Sequence, residues 1–192
     1  MNRMNADYFT QMYAANPDPW GFDDRPYERR KYALTLAALP RPRYRSAFEP
    51  GCSFGALTEM LAPRCDALVC YELVPDVALR ARARLARSTH VDIQALAIPD
   101  AWPERSLDLV ILSEVAYYLD EGGIDEVVAA TRRTLEPGGQ VVAVHYRGET
   151  NYPLSGDAVH EALSARLRAF TTKAASYRED LFRIDVFERG AS

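Results

Sequence analysis

From about residue 46 onward the chain alternates short, continuously apolar runs with segments whose apolar positions recur every three or four residues. The runs SAFE (46–49), ALVCYE (67–72), VDIQAL (91–96), LDLVILS (107–113) and QVVAVHY (140–146) are short and rich in β-branched and aliphatic residues, which predicts five strands. Between them, ALTEMLAP (56–63), VPDVALRARARLAR (74–87) and IDEVVAATRRTL (124–135) predict helices. In the last of these Ile124, Val127, Val128, Thr131 and Leu135 share one face. Such alternation predicts an α/β protein with a parallel sheet covered on both faces. Pro75 falls where a first-turn proline is tolerated, and Pro137-Gly138-Gly139 is expected to stop the third helix before the fifth strand.

The two ends of the chain read differently. A last amphipathic segment around Val159, Leu163, Leu167 and Phe170 precedes two β-like runs, TTKAASY (171–177) and LFRIDVFER (181–189). Only Arg178, Glu179 and Asp180 join them, which predicts an antiparallel hairpin. At the other end, residues 1–40 predict a helical cap, with one helix near residues 5–14 and another from about Tyr27 to Leu39. The segment PRPRYR (40–45) links it to the first strand. The expectation is one domain over 1–192, made of the cap and a core over 46–192.

Composition adds exclusions. No run approaches the roughly 20 apolar residues of a membrane span, and the first twenty residues contain no apolar signal core, so a cytoplasmic protein without a membrane partner is expected. Cys52, Cys65 and Cys70 form no C-x-x-C pair, which argues against a zinc knuckle or a disulfide framework, and no metal site is predicted. A formal net charge of −4 offers no general attraction to nucleic acid. The cluster Arg80, Arg82, Arg84 and Arg87 is read as the solvated face of a helix whose apolar stripe is Val74, Ala78, Ala81 and Leu85.

The chemistry concentrates in EPGCSFG (49–55). Its G-x-S-x-G spelling, with Asp108 and His145 downstream, follows the chain order of an α/β-hydrolase triad. That fold, however, needs strands upstream of the serine to build its oxyanion hole, and here only a helical cap precedes Ser53. Asp108 also begins its strand, whereas catalytic groups in open α/β sheets lie beyond the carboxyl ends. The ligand-cradle reading explains more residues. Gly51 and Gly55 permit a tight turn and a close backbone approach, and Glu72, 21 positions after Gly51 at the end of the second strand, can accept both hydroxyls of a ribose.

The segments DPWGFDDRPYERRKY (18–32), EPGCSFGALTEMLAP (49–63), DLVILSEVAYYL (108–119) and LEPGGQVV (135–142) resemble the nodulation-type N-methyltransferase family, within the class I S-adenosylmethionine (SAM) methyltransferases. The resemblance implies a Rossmann-like fold with a seven-stranded, mostly parallel sheet in the order 3-2-1-4-5-7-6. It also implies methyl transfer from SAM to a small-molecule acceptor, with an amine or amino sugar favoured. An O-methyltransferase, or a SAM- or nucleoside-binding module without transfer activity, is the alternative. Carried over, it sets Glu49, Gly51, Ser53 and Gly55 around the methionine part of SAM, Glu72 at the ribose, and Leu73, Ala97 and Ile98 at the adenine. Ser113 and Glu114 then lie beneath the methyl-transfer centre, and Tyr117 and Tyr118 flank the acceptor. Trp20, Tyr27 and Lys31 close the cofactor site from the cap, and Glu114 and His145 are the candidate bases. Ser53 departs from the family's usual middle glycine.

Overall fold

The computed structural model describes residues 3–191. Two cap helices, α1 (Ala6–Ala15) and α2 (Pro26–Ala37), precede an alternating core. The core comprises β1 (Ala47–Pro50), α3 (Ala56–Leu61), β2 (Leu68–Tyr71), α4 (Pro75–Arg84), β3 (Val91–Gln94), β4 (Leu107–Ser113), α5 (Glu121–Thr134), β5 (Leu135–Tyr146), α6 (Gly156–Leu167), β6 (Thr171–Arg178) and β7 (Phe182–Arg189). The sheet has the order β3-β2-β1-β4-β5-β7-β6. The first five strands pair in parallel, and β7 inserts antiparallel between β5 and β6. Among the described residues no helix is long and apolar enough to cross a membrane.

The period-two geometry of a strand explains the two cores. On β4, Leu109 and Ile111 face one layer, with Leu61, Val77, Ala81 and Tyr32 from α3, α4 and α2. Val110 and Leu112 face the other layer, with Ile124 and Val127 of α5 and Val159 and Leu163 of α6. Every residue of β4 is buried because both faces are covered. The edge strand β6 is exposed from Thr172 to Arg178, as its polar sequence TTKAASYR requires.

Two expectations are revised. Leu135 is already extended (ψ 125°) and opens β5 rather than ending a helix. It pairs with Leu107, and the next register pair is Leu109 with Gln140, so Glu136-Pro137-Gly138-Gly139 forms an irregularity inside the strand, with Gly138 at φ +72°. The arginine cluster is also more than a solvated face. Arg80 donates to the Pro17 carbonyl at 2.8 Å and lies over the Phe54 ring at 4.7 Å, while Arg84 pairs with Asp23 at 2.7 Å and Glu59 at 2.9 Å. One turn apart on α4, these two residues bind the segment between α1 and α2 to the core.

Candidate functional site

The carboxyl ends of β1, β2 and β4 open into a cavity of about 670 Å³ that α1 and the residues following it cover. The cavity therefore sits where an open α/β sheet binds ligands, with a volume usual for a small-molecule site. Its floor starts from the glycine loop. Gly51 has φ +71°, and a β-carbon there would meet Val115 Cγ2 at 2.9 Å, so the loop can run close to β4 only without a side chain. Gly55, at φ +88°, caps α3.

Ser53 also adopts the left-handed region, at φ +51°, which costs a non-glycine residue roughly 1 kcal/mol. Two contacts offset this. Its N–H donates to Glu72 Oε2 at 3.0 Å, and its hydroxyl shares a hydrogen bond with the Tyr13 hydroxyl of α1 at 2.5 Å. The other Glu72 oxygen accepts Val74 N–H at 2.8 Å, so backbone donors aim the carboxylate at the end of β2. Burial pushes the Glu72 carboxyl up to about 7, against these donors, and burial raises Glu49 to about 7 as well.

Glu114 ends the β4 side at φ +54°. Its Oε1 accepts Lys31 Nζ at 2.7 Å, and its Oε2 accepts the Tyr117 hydroxyl and, at 3.1 Å, Tyr146 N–H. Lys31 Nζ also pairs with Glu28 at 2.8 Å, and Lys31 is only 1% exposed. Burial alone would lower the Lys31 pKa, but the charges of Glu114 and Glu28 outweigh it and raise the pKa.

His145 is the clearest correction among the candidate bases. It is fully buried and stands behind Tyr117, ring centroids 5.1 Å apart, rather than on the cavity wall. Ala116 N–H donates to its Nε2 at 3.2 Å, which leaves Nδ1 to donate to His160 Nε2 at 3.3 Å. His160 Nδ1 in turn donates to Asp185 at 2.8 Å. Burial lowers both histidine pKa values, so the pair is neutral and orients the turn that carries Tyr117 and Tyr118.

Of the other residues singled out by sequence, Trp20, Glu49, Gly51, Ser53, Glu72, Leu73, Ala97, Ile98, Ser113, Glu114 and Tyr118 line the cavity. Gly55, Tyr27, Lys31 and Tyr117 stand behind the wall. Tyr27 packs on Phe182 with centroids 5.9 Å apart, so it joins the cap to β7. Sequence reasoning missed Tyr13, Phe9 and Phe22, which stand on the wall together with Tyr32 of the cap. Among the described residues no cluster of three or more His, Cys, Asp or Glu is arranged for a metal.

The hydrolase arrangement is absent. Asp108 accepts Arg45 and Ser46 N–H at 2.9 Å each and anchors the entry to β1, His145 belongs to its own chain, and Ser53 is bonded to Tyr13. Fluorophosphonate treatment of the native protein is therefore expected to leave Ser53 unlabelled by mass spectrometry, and labelling there would restore the serine-nucleophile reading.

The family model for Nodulation protein S (NodS) matches residues 4–147. Nodulation protein S of Rhizobium tropici is 36% identical over 132 residues, covering 67% of this chain and 55% of that protein. That of Bradyrhizobium diazoefficiens is 35% identical over 116 residues, 60% of this chain and 54% of that protein. The matched regions thus span little more than half the length of these two relatives. The crystal structure of the N-methyltransferase NodS from Bradyrhizobium japonicum WM9 in complex with S-adenosylhomocysteine superposes with a TM-score of 0.81 at 27% identity, over 97% of this chain and 99% of that one. A Pseudomonas syringae protein, provisionally assigned as a methyltransferase, is 42% identical with a TM-score of 0.75, over 86% of this chain and 100% of that one. The chain belongs to the NodS family and has its Rossmann-like class I methyltransferase fold.

Proposed function

We propose that this member of the NodS family is a SAM-dependent methyltransferase that transfers a methyl group to a nitrogen of a small-molecule acceptor. The observation that carries the reading is the Glu72 carboxylate, oriented by two backbone N–H groups at the end of β2 beside a glycine loop that lines a ligand-sized cavity. When bound, SAM supplies a methyl group activated by a sulfonium.

The chain's own residues fit that ligand. Glu72 accepts the ribose hydroxyls, the backbone at Gly51 and Ser53 receives the methionine portion, and Leu73, Ala97 and Ile98 cover the adenine. The α1 and Trp20 side of the cavity excludes water from the reacting centre. Because methyl transfer is an in-line displacement, alignment supplies much of the acceleration and no enzyme nucleophile is needed. Glu114 already accepts three hydrogen bonds, so it serves as a fixed negative charge rather than as a free base.

A small-molecule acceptor suits the charge of the site better than a nucleic acid does. The cation on the cavity wall, Arg3, is paired with Asp100 at 2.9 Å, which leaves little to neutralise phosphates. The buried free thiols of Cys52, Cys65 and Cys70 suit a reducing compartment such as the cytoplasm. Calorimetry should show SAM and S-adenosylhomocysteine binding at one site per chain, and reaction with SAM and extract of the native cell should yield a product heavier by one methylene. Absence of binding to both ligands would overturn the reading.

A further inference from the structure

We propose that His160 and Asp185 are positioning residues of the cofactor site, acting through His145 to hold the turn after β4 against the glycine loop. This rests on the methyltransferase reading above and extends the site to residues that line no part of the cavity. Both lie beyond residue 147, where the match to the family model ends.

Strand register brings the three groups to one layer. On β5 and β7, Ala143 pairs with Asp185 and His145 with Arg183, so His145 and Asp185 point to the same face of the sheet, the one that α6 covers. The helix can come close because it starts with glycine. A β-carbon on Gly156 would overlap the Tyr146 carbonyl oxygen, and with that approach His160 reaches between the other two, 3.3 Å from His145 and 2.8 Å from Asp185. All three residues are fully buried.

The hydrogen bonds can run in one direction only. At one end the Ala116 N–H can only donate, and at the other the Asp185 carboxylate can only accept, so each imidazole must carry its proton on Nδ1. Asp185 is held in turn by the hairpin. Its Oδ1 accepts the Ser176 hydroxyl at 2.6 Å, and its Oδ2 pairs with Lys173 at 3.1 Å and Arg183 at 2.9 Å. Burial works against the carboxylate, but the hydrogen bonds from His160 and Ser176 outweigh it and hold the Asp185 pKa well below the ordinary range. It is a fixed anion that sets both tautomers.

The held element is the single 3-10 turn Ala116–Tyr118, which has no side-chain cap of its own. Ala116 is buried, so its N–H needs the acceptor that His145 supplies. Val115, just before the turn, packs so closely on Gly51 that a β-carbon there would meet it at 2.9 Å. Val115 and Tyr118 also line the cavity. Releasing the turn would therefore loosen the cavity wall and the support of the glycine loop together.

The tautomers can be read in the full chain at pH 8 by two-bond proton–nitrogen correlation spectra of its three histidines. His145 and His160 are expected as neutral Nδ1–H forms, and His90, whose Nε2 donates to the Ala62 carbonyl at 2.9 Å, supplies the opposite pattern as reference. His160→Leu is expected to speed hydrogen exchange of the Ala116 amide and to weaken S-adenosylhomocysteine binding, each about tenfold, with the central β4 amides unchanged. His160→Gln, whose amide can accept from His145 and donate to Asp185, is expected to retain both properties. His160→Phe takes the place of leucine if that variant does not fold. An Nε2–H or doubly protonated state at either histidine would overturn the assignment. So would unchanged S-adenosylhomocysteine affinity or Ala116 exchange in His160→Leu, equal acceleration throughout β4, or a glutamine variant as impaired as leucine, and each leaves the methyltransferase reading standing. Failure of the unaltered chain to bind S-adenosylhomocysteine would overturn both.

Discussion

Lys31→Ala is expected to destabilise the protein by about 3–5 kcal/mol, the usual consequence of removing one partner from a buried ion pair. The reason is geometric. Lys31 is 1% exposed and its ammonium lies 2.7 Å from Glu114 and 2.8 Å from Glu28, so alanine leaves two carboxylates in a buried site without their shared cation. It also detaches α2 from the end of β4, since the same side chain bridges the cap and the core. Urea unfolding at pH 7 measures the loss directly. The deficit should shrink as pH falls, because protonation removes the charge that the variant cannot compensate. Glu28→Gln added to Lys31→Ala should recover part of the loss, as one unpaired charge is removed. A loss below about 1 kcal/mol would show that the cluster contributes little to stability.

Glu72→Ala is expected to weaken SAM binding about a hundredfold or more while the sheet stays folded. Two hydrogen bonds from ribose hydroxyls to a carboxylate are worth about 1.5 kcal/mol or more each, and every 1.4 kcal/mol is tenfold in affinity. The substitution also frees the Ser53 and Val74 N–H groups, so the glycine loop loses the acceptor that supports Ser53 in its left-handed conformation. The pH dependence gives a second readout. With its carboxyl raised to about 7, Glu72 is protonated more readily in the folded than in the unfolded chain. The free protein should therefore lose stability as pH rises from the ordinary carboxylate range towards 7, with Glu49 acting in the same direction. SAM affinity should rise over the same window, because the ionised carboxylate is the better acceptor. Calorimetry from pH 5.5 to 8.5 tests both, and unchanged SAM affinity in Glu72→Ala would remove this residue from the site.

Much of the architecture was legible because short apolar runs and helical periodicities are local properties. LDLVILS could be read as a strand covered on both faces, and β4 lies at the sheet centre between β1 and β5. The hairpin of β6 and β7 was legible from two β-like runs with a very short connection. Gly51, Ser53 and Glu72 could be placed together because a turn after β1 and the end of the adjacent parallel strand meet in any such sheet. The start of β5 was misplaced because the pairing of Leu135 with Leu107 is a non-local contact, while Pro-Gly-Gly is locally a stop.

By itself, then, the sequence determined the α/β class, the hairpin and the glycine loop with its acidic partner, all of which follow from spacing along the chain. Only the tertiary structure decided what covers the loop and which polar groups meet. Tyr13 and Phe9 sit on an α1 with no buried residue, so nothing in their periodicity marks them as cavity wall. Lys31 and Glu114 are 83 positions apart, and His160 and Asp185 are 25 apart. Their pairing depends on how α2 and α6 pack against the sheet, because burial makes an unpaired polar group costly and thereby selects partners that no local pattern can name.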